Sequence, residues 1–331
     1  MASDDVPGTA SPQEWPTLPD RWAHGGLVVL NGPLEQRAVR SPAANLAMGL
    51  IALVAAFVLF QVLITPLVLV AQIGASEGGM SALQSMGTEQ VLGAYTRELI
   101  ISNSVGQVLG LAGAALIFAR LHTSHLWAFL RVRSVDAQLL VLAVAGIIGL
   151  QPVVQWLAQI NQALPLPEMV RTFEETQLEM IRSVLEGGLG VPFNLVMLAL
   201  VPGVCEELLF RGYVQREFER WGGAATGVGL SGLLFGLYHL RPTQLLPLVV
   251  LGLYLAYITW RTGSVWPAVL VHIVHNGLAV IMSRYVYTHP SYDMEALEQM
   301  AMPWYAVMVG FAIVGGILYV FHPLARQIRE S

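Results

Sequence analysis

The chain has 331 residues, of which 55% are hydrophobic and only 12% are charged, with a formal net charge of −5 at neutral pH. Apolar runs separated by clusters of charge indicate a membrane protein, and the acidic balance gives no support for a nucleic-acid partner. The single cysteine, Cys205, excludes an intramolecular disulfide and any metal site built from several cysteines.

The first forty residues are polar and rich in proline, which predicts a flexible cytoplasmic tail and not a cleavable signal. We expect four parts along the chain. They are this tail at 1–42, N-terminal transmembrane helices at 43–190, the helices that carry a catalytic site at 191–283, and an extracytoplasmic loop, last transmembrane helix and short cytoplasmic tail at 284–331.

Eight stretches of roughly 19 or more residues contain no Asp, Glu, Lys or Arg, which is the length that a helix needs to cross about 30 Å of hydrocarbon. The sequence therefore predicts an all-α polytopic membrane protein with about eight transmembrane helices and a buried polar site. The stretches lie between Arg40 and Glu77, Glu98 and Arg120, Asp136 and Glu168, Glu186 and Glu206, Arg220 and Arg241, Arg241 and Arg261, Arg261 and Arg284, and Glu298 and Arg326.

Arginine supplies all the positive side-chain charge, since the chain has no lysine. A cytoplasmic N-terminus places twelve of the 17 arginines on the cytoplasmic side and five outside, as the positive-inside rule requires. The use of arginine alone, with abundant alanine and leucine, indicates a GC-rich bacterial genome. We therefore predict a protein of the bacterial inner membrane with both termini in the cytoplasm.

Glu206 and Glu207 end the fourth apolar stretch, and ionisable groups at membrane depth persist where they pair, face a polar cavity or do chemistry. Glu207 and Arg211 are four residues apart and share one helix face, so they can pair. Such a pair alone is typical of a structural ion pair that borders a site. Glu206 points about 100° away from Glu207 in a helix, which leaves its carboxylate free for a cavity.

The next stretch supplies a partner for Glu206. Trp221-Gly222-Gly223 is typical of a turn between two helices. Glu206 lies 16 residues before Gly222 and His239 lies 17 after it, so antiparallel helices place the two at nearly the same depth. Phe235, one turn before His239, is predicted to form a wall of this cavity.

The seventh stretch contains His272, His275 and Asn276, of which His272 and Asn276 face one way. A carboxylate with a histidine can hold and deprotonate a water, while an imidazole N–H and an amide can donate to an oxyanion. These groups are the minimum that is needed to hydrolyse an amide without a serine or cysteine nucleophile. His275 is predicted to pack or hydrogen-bond beside the site.

Three motifs on successive apolar stretches are Glu206-Glu207-x-x-x-Arg211, Phe235-x-x-x-His239 and His272-x-x-x-Asn276. In this order they resemble the motifs of the CAAX protease and bacteriocin-processing (CPBP/Abi) family of intramembrane proteases. The resemblance covers roughly Val191 to Ile281. It implies a peptidase whose partners are membrane lipid and a membrane-associated or lipid-linked peptide or protein, cleaved near the cytoplasmic face.

Position by position, the resemblance implies that Glu206 is the general base and that His239 holds the attacking water. His272 and Asn276 are expected to form the oxyanion site, and Arg211 to fix the geometry of the glutamates. Members of the family act on prenylated CAAX proteins in eukaryotes, and in bacteria they are tied to peptide maturation or bacteriocin self-immunity. The identity of the substrate stays open.

Three alternatives remain. A zinc metalloprotease would use Glu206, His239 and His272 as ligands, but the His-Glu-x-x-His motif is missing and we favour a mechanism without a cofactor. A rhomboid-like serine protease would use Ser231 of Gly229-Leu230-Ser231-Gly232, with His272 or His275 as base, although small residues there are typical of helix packing. A non-catalytic adaptor or transporter also contains intramembrane charge, although the chain shows no inverted repeat.

Overall fold

The computed structural model describes residues 28, 30–35, 42–76, 78–87, 90, 94–163, 165–172, 174–175, 189–289 and 301–330, whose regular structure is entirely helical. Seven helices within these ranges are long and apolar enough to cross a membrane. They are α1 Pro42–Ala75, α2 Thr96–His122, α3 Ala137–Gln162, α4 Val191–Gly222, α6 Pro242–Thr262, α7 Trp266–Thr288 and α8 Trp304–Ile328, with the shorter apolar helix α5 Ala224–Tyr238 between α4 and α6. The predicted all-α membrane fold is confirmed.

Local sequence explains where several helices begin and end. The side chain of Asp136 caps α3 by accepting a hydrogen bond from the Gln138 N–H at 2.7 Å. Gly223, with a φ of 87°, separates α4 from α5 at the predicted turn, and Gly263, with a φ of 65°, ends α6. The predicted fifth span is thus a helix of 15 residues, which extends about 22 Å.

The turn after α5 is held by side chains from distant parts of the chain. Asn161 at the end of α3 donates to the Pro242 carbonyl at 2.7 Å and accepts from the Leu246 N–H at 2.8 Å. Glu174 accepts from the Thr243 N–H at 2.9 Å. These bonds satisfy backbone groups that a turn inside a membrane protein cannot leave exposed to lipid, and they fix the end of α5, where His239 lies.

Close packing of α5 against α6 depends on glycine. A Cβ at Gly252 would lie 2.7 Å from the Gly232 carbonyl oxygen, and one at Gly236 would lie 2.5 Å from the side chain of Val249. Small residues let helix backbones approach in this way within a membrane. The small residues in α5 therefore allow close packing against α6. The Gly252 carbonyl of α6 faces α4, where Arg211 donates a hydrogen bond to it.

The glutamate pair lies in a regular segment between two wider turns of α4. Val201–Glu207 is α-helical, whereas Val196–Leu200 before it and Leu208–Val214 after it are π-helical. Turns of this kind are rare and frequently occur at functional sites, because the extra residue redirects side chains. The pairing predicted between Glu207 and Arg211 is nevertheless present, with 3.0 Å between Arg211 Nη1 and Glu207 Oε1.

The charged end of α4 is buried against residues that precede α1. Arg220 donates to Glu35 at 2.9 Å and to Glu217 at 2.7 Å, and Glu35 also lies 2.6 Å from Nδ1 of His122. Burial alone would raise the pKa of the Glu35 carboxyl, but hydrogen bonds and charge from His122 and Arg220 lower the pKa to about 2. Glu35 is therefore charged at neutral pH.

Most of the predicted flexible tail at 1–42 lies outside the described residues. The described part is anchored to the end of α2 through its backbone. The Gly32 N–H donates to the His122 carbonyl at 2.8 Å, and the Leu34 N–H donates to the Leu121 carbonyl at 3.0 Å. The segment 30–35 is therefore a docked part of the fold.

Candidate active site

Glu206 of α4, His239 at the end of α5 and His272 of α7 come together in the structure. Oε2 of Glu206 lies 3.8 Å from Nε2 of His239 and 4.0 Å from Nε2 of His272. The Glu206 side chain is 13% exposed and that of His239 is 27% exposed, whereas that of His272 is only 3% exposed. The two helices of the α4–α5 hairpin thus bring a carboxylate and an imidazole to one depth, and α7 adds a second imidazole.

The other nitrogen of each imidazole has a fixed hydrogen-bond partner. Nδ1 of His239 lies 2.7 Å from the Phe235 carbonyl oxygen, and Nδ1 of His272 lies 2.8 Å from Oε1 of Glu207. Because a carbonyl oxygen and a carboxylate only accept, both Nδ1 atoms carry the proton. Nε2 of each ring faces Glu206, where a neutral imidazole presents a lone pair and a protonated one donates a hydrogen bond.

Arg211 contacts Glu207 and Phe235, the two residues that bind the imidazoles of His272 and His239. Both Arg211 and Glu207 are fully buried. One arm of its guanidinium donates to Glu207 at 3.0 Å and the other donates to the Gly252 carbonyl at 3.0 Å. The guanidinium carbon also lies 4.4 Å from the centroid of the Phe235 ring, at cation–π distance. Contacts therefore run from Gly252 through Arg211 and Glu207 to His272 and fix the His272 ring.

Aromatic rings pack against the site on the side of α5. The Phe235 ring lies 4.7 Å from the His239 ring and 5.8 Å from the His272 ring, each in an edge arrangement. Phe210 packs edge-on against both Phe235 and Tyr238, each at 5.2 Å between centroids. The structure thus places Phe235 against both imidazoles, where the sequence predicts a wall.

Asn276 lies one helical turn beyond His272 on α7. Its amide nitrogen donates to the Leu198 carbonyl of α4 at 3.1 Å. An amide has a second N–H, which the contact with Leu198 does not use. His275 points elsewhere and lies 3.1 Å from the side-chain nitrogen of Gln151 in α3, a packing position beside the site.

Ser231, the nucleophile of the rhomboid-like alternative, is fully buried in α5. Its hydroxyl donates to the Phe210 carbonyl at 3.4 Å. The two histidines that this alternative would use as a base instead contact Glu207 and Gln151. The surroundings of Ser231 are thus those of a helix-packing residue.

Three buried polar atoms without a hydrogen-bond partner belong to residues at the site or next to it in the sequence. Oε2 of Glu206, Oε2 of Glu207 and the hydroxyl of Tyr238 are buried and have no hydrogen-bond partner within the part of the chain that the structure describes. Buried polar groups in proteins are nearly always hydrogen-bonded, so an exception at a candidate site is a place where water or a ligand can bind. Tyr238 does not belong to any of the three sequence motifs. Its position next to His239 is the one sequence feature that links it to the site.

Glu206, His239 and His272 include the donor types that bind metal ions. One carboxylate and two imidazoles suit zinc, and both rings have the Nδ1–H partner that is usual for metal-bound histidines. Donors that share a tetrahedral zinc lie about 3.4 Å apart. The separations of 3.8 and 4.0 Å are wider, and the described residues contain no group of three His, Cys, Asp or Glu arranged to hold a metal. The donor chemistry suits zinc, whereas the spacing suits a bridging water.

The helices that carry the site are similar to known membrane proteases. Residues 188–278 match the family described as Type II CAAX prenyl endopeptidase Rce1-like, and this segment includes all three motifs. The resemblance to CAAX-type membrane proteases is therefore confirmed over these helices. The chain is also similar to "Putative membrane peptidase YdiL" of Bacillus subtilis (strain 168), with 26% identity over 105 residues. That alignment covers 31% of this chain and 43% of the relative. No solved structure matches the chain.

Proposed function

We propose that the protein is an intramembrane endopeptidase that hydrolyses a peptide bond with a water activated by Glu206. The observation that carries this proposal is the unpartnered Oε2 of Glu206, which lies 3.8 and 4.0 Å from two imidazole nitrogens. A single water that makes hydrogen bonds of about 2.8 Å can bridge atoms at such separations. The CAAX-type family and the membrane peptidase relative support the same general activity.

The hydrogen-bond pattern requires one extra proton at the site. A water donates only two hydrogen bonds, whereas Glu206 and two neutral imidazoles would present three acceptors to it. We assign the proton to His272. Glu206 and Glu207 carry two negative charges against the single positive charge of Arg211, so a protonated His272 makes the buried cluster neutral. His272 then donates through Nδ1 to Glu207 and through Nε2 towards the substrate.

Hydrolysis follows from these positions. The water donates one hydrogen bond to Glu206 and the other to His239, which orients its lone pair at the carbonyl carbon of the substrate. The water oxygen bonds to that carbon as Glu206 takes a water proton, and the carbonyl becomes an oxyanion that accepts from His272 and from the second N–H of Asn276. The C–N bond then breaks as Glu206 returns the proton to the leaving amine.

The proposed substrate is a membrane-associated or lipid-linked peptide. The apolar surroundings of the site and the family's description as prenyl endopeptidases support a substrate that reaches the site from the bilayer. The arginine distribution continues to predict cleavage near the cytoplasmic face and cytoplasmic termini. An internally quenched prenylated CAAX peptide in bilayer vesicles is a suitable first probe.

Removal of metal provides one test of this mechanism. We expect purified, active protein to retain cleavage of the prenylated probe, to within about twofold, after dialysis against a strong chelator. Added zinc should give no stimulation, because the Glu206 carboxylate and water suffice for the chemistry. Elemental analysis of the same sample is the control. Stoichiometric zinc, with loss of cleavage on removal and recovery on return, would instead support the metalloprotease alternative.

Substitution of Ser231 separates the proposal from the rhomboid-like alternative. Ser231→Ala should cleave the probe at a rate within about twofold of the unmodified protein, because its hydroxyl only donates a long hydrogen bond of 3.4 Å to Phe210. Glu206→Gln, assayed beside it, should be inactive. An inactive Ser231→Ala protein together with an active Glu206→Gln protein would reverse the assignment of the catalytic group.

A further inference from the structure

The Tyr238 hydroxyl is a buried donor beside the site that no motif residue uses. It has no hydrogen-bond partner in the described ranges of the chain. Tyr238 immediately precedes His239, and its ring packs on Phe210, which also packs on Phe235 beside the two imidazoles. Desolvating a hydroxyl without giving it a partner is unfavourable, so such a group needs an explanation.

Two aromatic rings fix the Tyr238 ring before any substrate is present. Phe57 of α1 packs on it at 5.7 Å between centroids with an interplanar angle of 87°, and Phe210 of α4 packs on it at 5.2 Å with an angle of 84°. Edge-to-face contacts of this kind are favourable and directional. The ring is therefore held by two helices other than its own, and its hydroxyl is a preorganised donor.

The unsatisfied atoms of Tyr238 and Glu206 complement a peptide bond. Oε2 of Glu206 is a buried acceptor without a partner among the described residues, and the Tyr238 hydroxyl is a buried donor in the same condition. A peptide bond offers a carbonyl oxygen that accepts and an N–H that donates. A peptide that reaches both side chains would satisfy both, which neither an apolar ligand nor a simple anion would do.

We propose that Tyr238 is a further catalytic residue, whose hydroxyl donates a hydrogen bond to the carbonyl oxygen of the scissile peptide bond. This inference rests on the proposed function. The hydroxyl keeps its proton throughout, while Glu206 carries the proton from water to the leaving amine. As the carbonyl oxygen becomes an oxyanion, the hydrogen bond from Tyr238 becomes stronger, so it stabilises the transition state more than the bound substrate.

A pair of tyrosine-to-phenylalanine variants tests this role. Tyr238→Phe removes only the hydroxyl and should lower kcat for the prenylated probe by about 10²–10³-fold, with KM changed by less than about threefold. Its unfolding midpoint should stay the same or rise, because an unsatisfied buried group is removed. Tyr254→Phe is the matched control, because the Tyr254 hydroxyl is buried and already donates to the Ala143 carbonyl at 2.7 Å. It should lower the unfolding midpoint and leave kcat within about twofold.

The outcomes separate this inference from the proposed function when Glu206→Gln is assayed in parallel. If Glu206→Gln is inactive and Tyr238→Phe has an unchanged kcat, the role of Tyr238 is wrong and the proposed function stands. If Tyr238→Phe lowers kcat and the unfolding midpoint together, as a structural hydrogen bond would, the catalytic role is also wrong. If Glu206→Gln cleaves as fast as the unmodified protein, the proposed function itself fails.

Discussion

Glu206→Gln is expected to lower kcat for peptide cleavage by about 10²–10⁴-fold, with little change in KM. Glutamine has nearly the same shape as glutamate and can still occupy the space beside His239 and His272. It cannot take a proton from water, however, and the proton transfer in the transition state is lost. The measurement is the rate of cleavage of the prenylated probe by purified protein in vesicles over a range of probe concentrations.

Two controls make the result specific. Glu175→Gln makes the same change at an exposed glutamate outside the site and should leave kcat unchanged. The unfolding midpoint of Glu206→Gln should match or exceed that of the unmodified protein, because a partly buried charge has been neutralised. Retention of more than about a tenth of kcat by Glu206→Gln would exclude Glu206 as the general base.

Arg211→Met is expected to lower the free energy of unfolding by about 3–5 kcal/mol and to abolish cleavage. Arg211 is fully buried and bonds both Glu207 and the Gly252 carbonyl, so its loss leaves a buried negative charge without its partner. The freed Glu207 no longer fixes His272 in one orientation. Stability can be measured by titration with a denaturing detergent in mixed micelles, beside the cleavage assay.

A double variant tests whether the unpaired charge of Glu207 causes the loss of stability in Arg211→Met. Glu207→Gln combined with Arg211→Met removes one charge of each sign, so the double variant should be more stable than Arg211→Met alone. Arg97→Met, at an exposed arginine, controls for loss of positive charge in general and should have little effect. Equal stability of Arg211→Met and the double variant would show that packing of the long side chain, and not its charge, stabilises the site.

The amino-acid sequence alone predicts the membrane-spanning helices and the proximity of Glu206 to His239. Apolar length predicts the spans, and the similar distances of the two residues from the Gly222 turn predict their common depth. The charge-free fifth stretch does not show where its helix ends, because no charged residue marks the boundary inside it. Gly223 and the Asn161 contacts with the turn at Pro242 shorten that helix.

Other features depend on contacts between distant parts of the chain. The protonated nitrogen of each imidazole at the candidate site is set by Phe235 and Glu207, which only the folded geometry reveals. The bond between Arg220 and Glu35 joins residues 185 positions apart, and no local pattern around Glu35 indicates it. The sequence does not single out Tyr238, because an aromatic residue in an apolar helix is ordinary, and only its unsatisfied hydroxyl distinguishes it.

We propose that Glu206, His239 and His272 together cut peptide bonds in the membrane. The most direct test compares the peptide termini in the membrane-associated proteomes of cells that make the unmodified protein or Glu206→Gln at equal levels. We predict a small set of new carboxyl termini, with matching amino-terminal fragments, in the first cells and its absence from the second. Identical sets of termini, with full biological activity of Glu206→Gln, would contradict the claim and favour a non-catalytic adaptor or transporter.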